Sequence, residues 1–313
     1  MRVVFMGTPG FAAASLNEIH TNSEHEVVGV VTVADKPSGR GQKMNISEVK
    51  KYALEHDLPL LQPEKLKDEA FLTALKALNA DVFVVVAFRM LPKVVWSMPA
   101  KGTFNLHGSL LPQYRGAAPI NWAVMNGDTK TGVTTFLIDE EIDTGNILLA
   151  DEIEIGENDN VGTIHDQLME IGAKLVVTTL DGLANDSLKP HPQDESIELK
   201  HAPKIFKDDC KIDWNQSIET IHNKIRGLSP YPCAWTAYGN DEFTKSLKIY
   251  AGIKTTIETS GELYEMVRTK NNLYVHLADG MYEILELQPE GKRRMNAKDF
   301  INGSQNEGKL FIK

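Results

Sequence analysis

Residues 82–87 (Val-Phe-Val-Val-Val-Ala) are apolar without a break, the pattern of a strand buried on both faces in a parallel sheet. A second short strand follows at Thr103–His107 and turns at Gly108. Ahead of them, Arg2–Met6 reads as a first strand, Gly10–His20 as a helix and Val27–Val33 as a strand, which is the βαβ pattern. Helical patterns at 46–56 and 68–78 alternate with further apolar runs. The clearest later helix covers 163–183, with Ile164, Leu168, Ile171, Leu175 and Val176 recurring on a helical period. Beyond it the pattern breaks around Pro190, Pro192 and Pro203, which predicts a linker over 189–204 between a domain at 1–188 and another at 205–313. After a helix at 217–226, short alternating segments at 234–238, 247–253, 263–269, 273–277 and 281–287 predict a small all-β unit. Five strands suit a compact Greek-key barrel, the OB type included, and equally a small open sheet.

Composition narrows the class. A chain of 313 residues, 42% hydrophobic, buries a substantial core and suggests two domains. No apolar run approaches the ~20 residues needed to cross a bilayer. One basic residue, Arg2, followed by a strand-like segment does not read as an export signal, so a cytoplasmic setting is expected. Cys210 and Cys233 give neither a disulfide framework nor a metal spacing, and the nine histidines lack the pairing of a zinc site. No metal is expected. The net charge of −10 argues against a nucleic-acid partner, but residues 205–313 hold 15 Lys and Arg against 15 Asp and Glu, so the whole excess lies ahead of them. A neutral C-terminal part can still turn a basic face, such as Lys292, Arg293 and Arg294, to phosphates, but taken alone that triplet reads first as a solvated turn.

Candidate chemistry gathers between Thr103 and Gly145. Asn105 and His107 lie two apart on one face of the second strand, at the carboxyl edge where open α/β sheets bind ligands. Asp143 lies in an acidic loop with Asp139, Glu140 and Glu141. Singly, each has a plain structural reading: a packed histidine, a backbone-binding asparagine, a solvated carboxylate. Together, with Leu111-Pro112 and Arg115-Gly116 after the strand and Asp143-Thr144-Gly145 further on, they supply an amide, an imidazole and a carboxylate suited to acyl transfer. Gly7–Gly10 lacks the full dinucleotide fingerprint and reads as a tight strand-to-helix connection. Lys36, Arg40 and Lys43 share a Gly- and Pro-punctuated basic loop, KPSGRGQK.

The run FNLHGSLLPQYRGAAPINWAVMNGDTKTGVT and the later DTG resemble the folate-dependent formyltransferase family, in particular its members that act on methionyl-tRNA. MGTPGFAAASL, DKPSGRGQKM, VVVAFRMLP and IRGLSPYPCAWT extend the resemblance over nearly the whole chain. It implies an α/β fold with a Rossmann-like parallel-sheet catalytic domain and a smaller OB-like β-barrel that helps hold tRNA. The implied reaction moves the formyl group of 10-formyltetrahydrofolate to the α-amine of methionyl-initiator tRNA, without a metal. Asn105, His107 and Asp143 take the catalytic positions. Asn105 and a protonated His107 would donate to the developing oxyanion and Asp143 would favour the imidazolium, with His107 or a water held by Asp143 relaying the proton. Ser109, Leu110, Leu111 and Pro112 border the folate, the N–H groups of Leu110 and Leu111 meeting the pterin edge, and Phe88, Arg89, Met90 and Leu91 line the rest, although Phe88 and Met90 read nearly as well as core. Lys36, Arg40 and Lys43 correspond to an insertion that engages the tRNA acceptor end. A monomer is the default expectation. The rivals are glycinamide ribonucleotide and sugar-nucleotide formyltransferases, a formyltetrahydrofolate hydrolase, and a nucleic-acid-binding protein on an inactive catalytic fold.

Overall fold

A computed structural model describes residues 1–38, 43–257, 261–304 and 308–313, with only the backbone of Pro37, Ser38 and Lys43. The elements run β1 (Arg2–Gly7), α1 (Gly10–Asn22), β2 (Glu26–Val31), β3 (Lys36–Ser38), β4 (Lys43–Asn45), α2 (Glu48–Glu55), β5 (Leu60–Leu61), α3 (Glu69–Ala77), β6 (Val82–Val86), α4 (Lys93–Trp96) and β7 (Thr103–His107). They continue with β8 (Arg115–Gly116), α5 (Pro119–Met125), β9 (Lys130–Leu137), β10 (Ile147–Glu154), α6 (Val161–Ala184) and β11 (His201–Ala202). The last part holds α7 (Ile218–Leu228), β12 (Ala234–Gly239), β13 (Thr244–Lys254), β14 (Met266–Arg268), β15 (Leu273–Leu277), β16 (Gly280–Pro289), β17 (Met295–Asn296), α8 (Ala297–Gly303) and β18 (Phe311–Ile312). Two compact units result: Met1–Pro119 with Thr131–Ile153 and Asp166–His201, and Ile120–Lys130 with Glu154–His165 and Ala202–Lys313.

The first unit is built on a sheet of order β10-β9-β7-β6-β1-β2-β5. β1 pairs in parallel with β2 and β6, β2 with β5, and β6 with β7. β7 pairs antiparallel with β9, so the parallel sheet anticipated from the pattern acquires an antiparallel flank next to the strand that carries Asn105 and His107. All five residues of β6 are buried, as its unbroken apolar run requires. Side-chain caps set the helix starts: Ser47 accepts from Lys50 N at α2 and Asp68 from Phe71 N at α3, so both residues read within helices stand just outside them. Against β7, Gly172 of α6 lets the helix approach closely; a Cβ there would lie 2.9 Å from Leu106 Cδ2. Thr179 of the same helix meets Thr135 of β9, Oγ1 to Oγ1, at 2.9 Å in the core.

The second unit has an antiparallel sheet of order β14-β15-β16-β13-β12-β18, with β17 added beside β16. The ends meet: Glu265 bridges Phe311, Met266 N donates to Leu310 O at 2.7 Å and Ile312 N to Tyr264 O at 3.0 Å. The OB-like barrel is nearly closed by β18, a strand too short to show in the sequence pattern. Ile218, Ile221, Ile225 and Leu228 of α7 join the barrel core. On the same helix, buried His222 donates from Nε2 to Glu157 O at 3.1 Å and so accepts at Nδ1 from Tyr282 Oη at 3.1 Å. Burial pushes the His222 imidazole down from its ordinary value. One turn on, Arg226 donates to Asn223 Oδ1, Gly156 O and Asp159 O. The IRGLSPYPCAWT segment therefore organises the barrel and its neighbouring loop.

Candidate active site

The site forms at the carboxyl end of β7. Asn105 stands between Val85 of β6 and Phe136 of β9, and His107 opposite Thr134 of β9. The Asn105 side chain is half-buried and makes no hydrogen bond with the described residues, which leaves its amide available to a ligand. His107 is 6% exposed, and its Nε2 lies 2.9 Å from the carbonyl oxygen of Tyr114. A carbonyl only accepts, so Nε2 carries the hydrogen and Nδ1 holds the lone pair of the neutral ring. That Nδ1 faces Asp143 Oδ2 at 3.9 Å, within ion-pair range but beyond a hydrogen bond. Asp143, at a left-handed φ of 57°, directs Oδ2 to the N–H of Gly116 at 3.0 Å.

Two residues after β7, the chain folds back onto β9 through one hydroxyl. Thr134 Oγ1 donates to Ser109 O at 2.7 Å and accepts from Leu111 N at 3.1 Å, while Ser109 Oγ donates to Gln113 O at 2.6 Å. This corrects one expectation. The Leu111 N–H is engaged by Thr134 and not offered to a pterin, and the Leu111 side chain packs with Phe136 and Ile147. Pro112 and Ser109 are buried, and Leu110 packs beneath Gly132, where a Cβ would stand 2.5 Å from its Cδ2.

The second predicted ligand wall also divides. Leu91 belongs to the core under the sheet and Phe88 packs against that core, whereas Met90, 72% exposed, is not a core residue. Arg89 finds its partners in backbone, donating to Pro63 O and to Glu64 O at 2.8 Å, and its guanidinium stacks on the Phe88 ring at 5.6 Å. Its Nε is buried without a hydrogen-bond partner among the described residues, and burial pushes the guanidinium down from its ordinary value.

The basic segment read as a loop has a two-stranded base: Lys36 pairs with Asn45, Pro37 with Met44 and Ser38 with Lys43. Lys36 is exposed; Arg40 lies outside the described residues, as does the side chain of Lys43. Beneath the hairpin, Asp35 accepts from Lys50 Nζ at 2.5 Å and Gln62 Nε2 at 3.0 Å, bonds that hold its carboxyl below the ordinary carboxylate range. In the barrel, Arg294 pairs with Glu286 and stacks on Tyr250 at 4.3 Å, so the Lys292–Arg294 triplet is partly neutralised.

Sequence reasoning did not single out Gln193, within the stretch read as a linker. Its side chain bonds to Asp143 O, Gly145 O and Arg115. Nor did the pattern reveal that Tyr114 O and Gly116 N hold His107 and Asp143, because backbone donors and acceptors leave no residue-type signal. Among the described residues no cluster of His, Cys, Asp or Glu could hold a metal ion.

Comparison with known proteins gives the family. Residues 1–180 match the formyl transferase domain and residues 204–305 the formyl transferase C-terminal domain. The methionyl-tRNA formyltransferase of Flavobacterium psychrophilum is 50% identical over 303 residues, covering 97% of this chain and 96% of the relative. That of Parabacteroides distasonis is 52% identical over 311 residues, covering 97% and 95%. Among solved structures, a sugar 3N-formyl transferase, WlaRD, superposes with a TM-score of 0.62 at 21% identity over 94% of this chain and 99% of its own. HypX from Aquifex aeolicus in complex with tetrahydrofolic acid gives a TM-score of 0.65 at 18% identity, over 98% of this chain and 48% of HypX. The two structures bear on the fold alone. With both domains matched in order and about half of all positions shared end to end with those relatives, the chain belongs to the methionyl-tRNA formyltransferase branch of the formyl transferase family.

Proposed function

We propose that this chain transfers the formyl group of 10-formyltetrahydrofolate to the free α-amino group of methionyl-initiator tRNA, giving N-formylmethionyl-tRNA for translation initiation. The observation that carries the chemistry is the meeting of Asn105, His107 and Asp143 at the end of β7, with the Asn105 amide unengaged among the described residues and His107 Nδ1 turned to the carboxylate. The acceptor follows from the near-complete coverage of relatives named for methionyl-tRNA.

The folate supplies an activated amide whose formyl carbon the amine attacks. Asn105 donates its amide N–H to the formyl oxygen as charge gathers there, a role in which one donor contributes about 3 kcal/mol. His107 takes the amine proton at Nδ1, since Nε2–H is committed to Tyr114 O. The Asp143 carboxylate stands 3.9 Å from that nitrogen, so the transferred proton sits beside a negative charge. The resulting imidazolium, or a water held by Asp143, returns a proton to the departing nitrogen. Ser109, Leu110, Pro112 and the exposed Met90 border the folate, with Phe88, Arg89 and Leu91 behind. Lys36, Arg40 and Lys43 meet phosphates of the acceptor end.

A monomer is the reading we keep: one copy carries all three catalytic side chains, so the proposed chemistry calls for no second copy. Its setting is the cytoplasm, where Cys210 and Cys233, both unpaired, stay reduced. Parallel assays with methionyl-initiator tRNA, glycinamide ribonucleotide and water as acceptors test the reading. Formylated methionyl-tRNA in excess is expected; consumption of the folate without it would overturn the acceptor, and binding of tRNA with no turnover would overturn the chemistry.

A further inference from the structure

We propose that Gln193 is a positioning residue for Asp143, oriented for that task by Arg115; the inference rests on the catalytic reading of Asp143. The Gln193 side chain is 9% exposed and every one of its hydrogen-bonding capacities is used. Nε2 donates to Asp143 O at 2.8 Å and Gly145 O at 2.9 Å, one bond on each side of Thr144. Oε1 accepts from Arg115 Nε at 3.0 Å and from Arg115 Nη2 at 2.7 Å. A reversed amide would set its NH2 against the guanidinium and its oxygen against two carbonyls, so Arg115 fixes which end faces the loop. Glu195 Oε1, 2.9 Å from Arg115 Nη2, offsets the guanidinium charge.

The clamp falls where the backbone most needs holding. Asp143 occupies the left-handed region, a conformation that costs a residue with a Cβ even though Asp enters it more readily than most. Gly145 lies so close to β9 that a Cβ would stand 1.7 Å from Leu137 O. With its backbone held on both sides of Thr144, Asp143 can keep Oδ2 on Gly116 N and beside His107. The rest of the strap repeats the arrangement: His191 N bonds Ile147 O at 3.1 Å, Gln113 Nε2 donates to Glu198 O at 3.0 Å, and Tyr114 N donates to Lys200 O at 2.6 Å. Gln193 is the member of this strap whose side chain reaches Asp143.

The test uses Gln193→Leu, which loses all four bonds, and Gln193→Glu, which keeps acceptors for Arg115 but has no donor for the loop. Both are expected to lower kcat roughly 10- to 100-fold, the scale of a misplaced catalytic group, with KM for folate and tRNA changed less than about threefold. Arg115→Ala should lower kcat by a similar factor and add little in the double variant with Gln193→Leu, because the two act in series. A crystal structure of Gln193→Glu should show Asp143 Oδ2 withdrawn from Gly116 N, a readout independent of the acceptor. Wild-type kcat in folded Gln193→Glu, or an unmoved Asp143 in that crystal structure, would overturn the proposal. Failure of the wild type to formylate methionyl-tRNA would instead count against the acceptor, with folate turnover on water or glycinamide ribonucleotide still reporting on Gln193.

Discussion

The carbonyl oxygen of Tyr114 lies 2.9 Å from Nε2 of His107 and decides which nitrogen of that ring is free for chemistry. Only Nδ1, on the Asp143 side, can take up a proton from substrate. His107→Ala should therefore lower kcat by about 10²- to 10⁴-fold while the folate Kd changes little. Rapid-quench single turnovers, with Kd from fluorescence titration, separate the two quantities. Turnover like that of the wild type would remove His107 from the mechanism.

Asn105→Ala removes a donor that meets charge only as the reaction proceeds. The expected loss is about 10²- to 10³-fold in kcat, with KM for both substrates nearly constant. An increase in folate KM alone would mean that the amide serves binding and not the barrier.

Thr134→Val deletes two buried hydrogen bonds at once and leaves Leu111 N and Ser109 O without their shared partner. Destabilisation of about 1–3 kcal/mol is expected, measurable by urea unfolding. Folate KM should rise in the same variant, since the 109–113 turn borders the ligand.

Arg40→Ala should weaken use of tRNA and leave folate binding intact. If Arg40 meets a phosphate, the slope of log KM for tRNA against log salt should fall by about 1. Asp35→Ala, which removes the partner of Lys50 and one of the two acceptors of Gln62 at the base of the hairpin, should raise the tRNA KM without that change in slope. Equal losses for folate and tRNA in Arg40→Ala would sink the assignment.

His222 predicts a pH dependence of stability. In the folded barrel the neutral ring accepts from Tyr282 Oη, and burial disfavours its charged form. Its folded pKa lies below the unfolded value of about 6.5, so the unfolded chain binds a proton first. Stability should fall as pH drops below that value and continue to fall until the folded pKa is passed. His222→Gln should flatten the dependence over this window in urea titrations; an unchanged slope would place it elsewhere, for example at His25, which burial also pushes down.

The sheet and the barrel were legible because burial imposes a period. Val82–Val86 announced itself as a covered strand, and the caps Ser47 and Asp68 account for the small shifts at helix starts. Asn105, His107 and Asp143 were legible as residue types within motifs, but not their holders. Tyr114 and Gly116 contribute main-chain atoms, whose partners no residue name announces, although both stand at positive φ, 60° and 125°. Gln193 sat among prolines and polar residues, where a docked strap and a linker have the same composition. The two-residue strand β18 has no period to detect. The Leu111 N–H was not legible, because a turn before proline does not reveal that Thr134, 23 residues later, claims it.

Because Tyr114 and Gly116 hold the imidazole and the carboxylate through backbone atoms, the site responds unequally to two kinds of genetic change. Replacing the Tyr114 side chain keeps a carbonyl at that position, so a point substitution acts on the site through packing, the Lys200 contact and the left-handed backbone at φ 60°. Inserting or deleting one codon between 107 and 116 moves that carbonyl and the Gly116 amide out of phase with His107 and Asp143 together. The spacing is thus a ruler: at position 114 it admits residues that accept a left-handed backbone, and it admits no change in length.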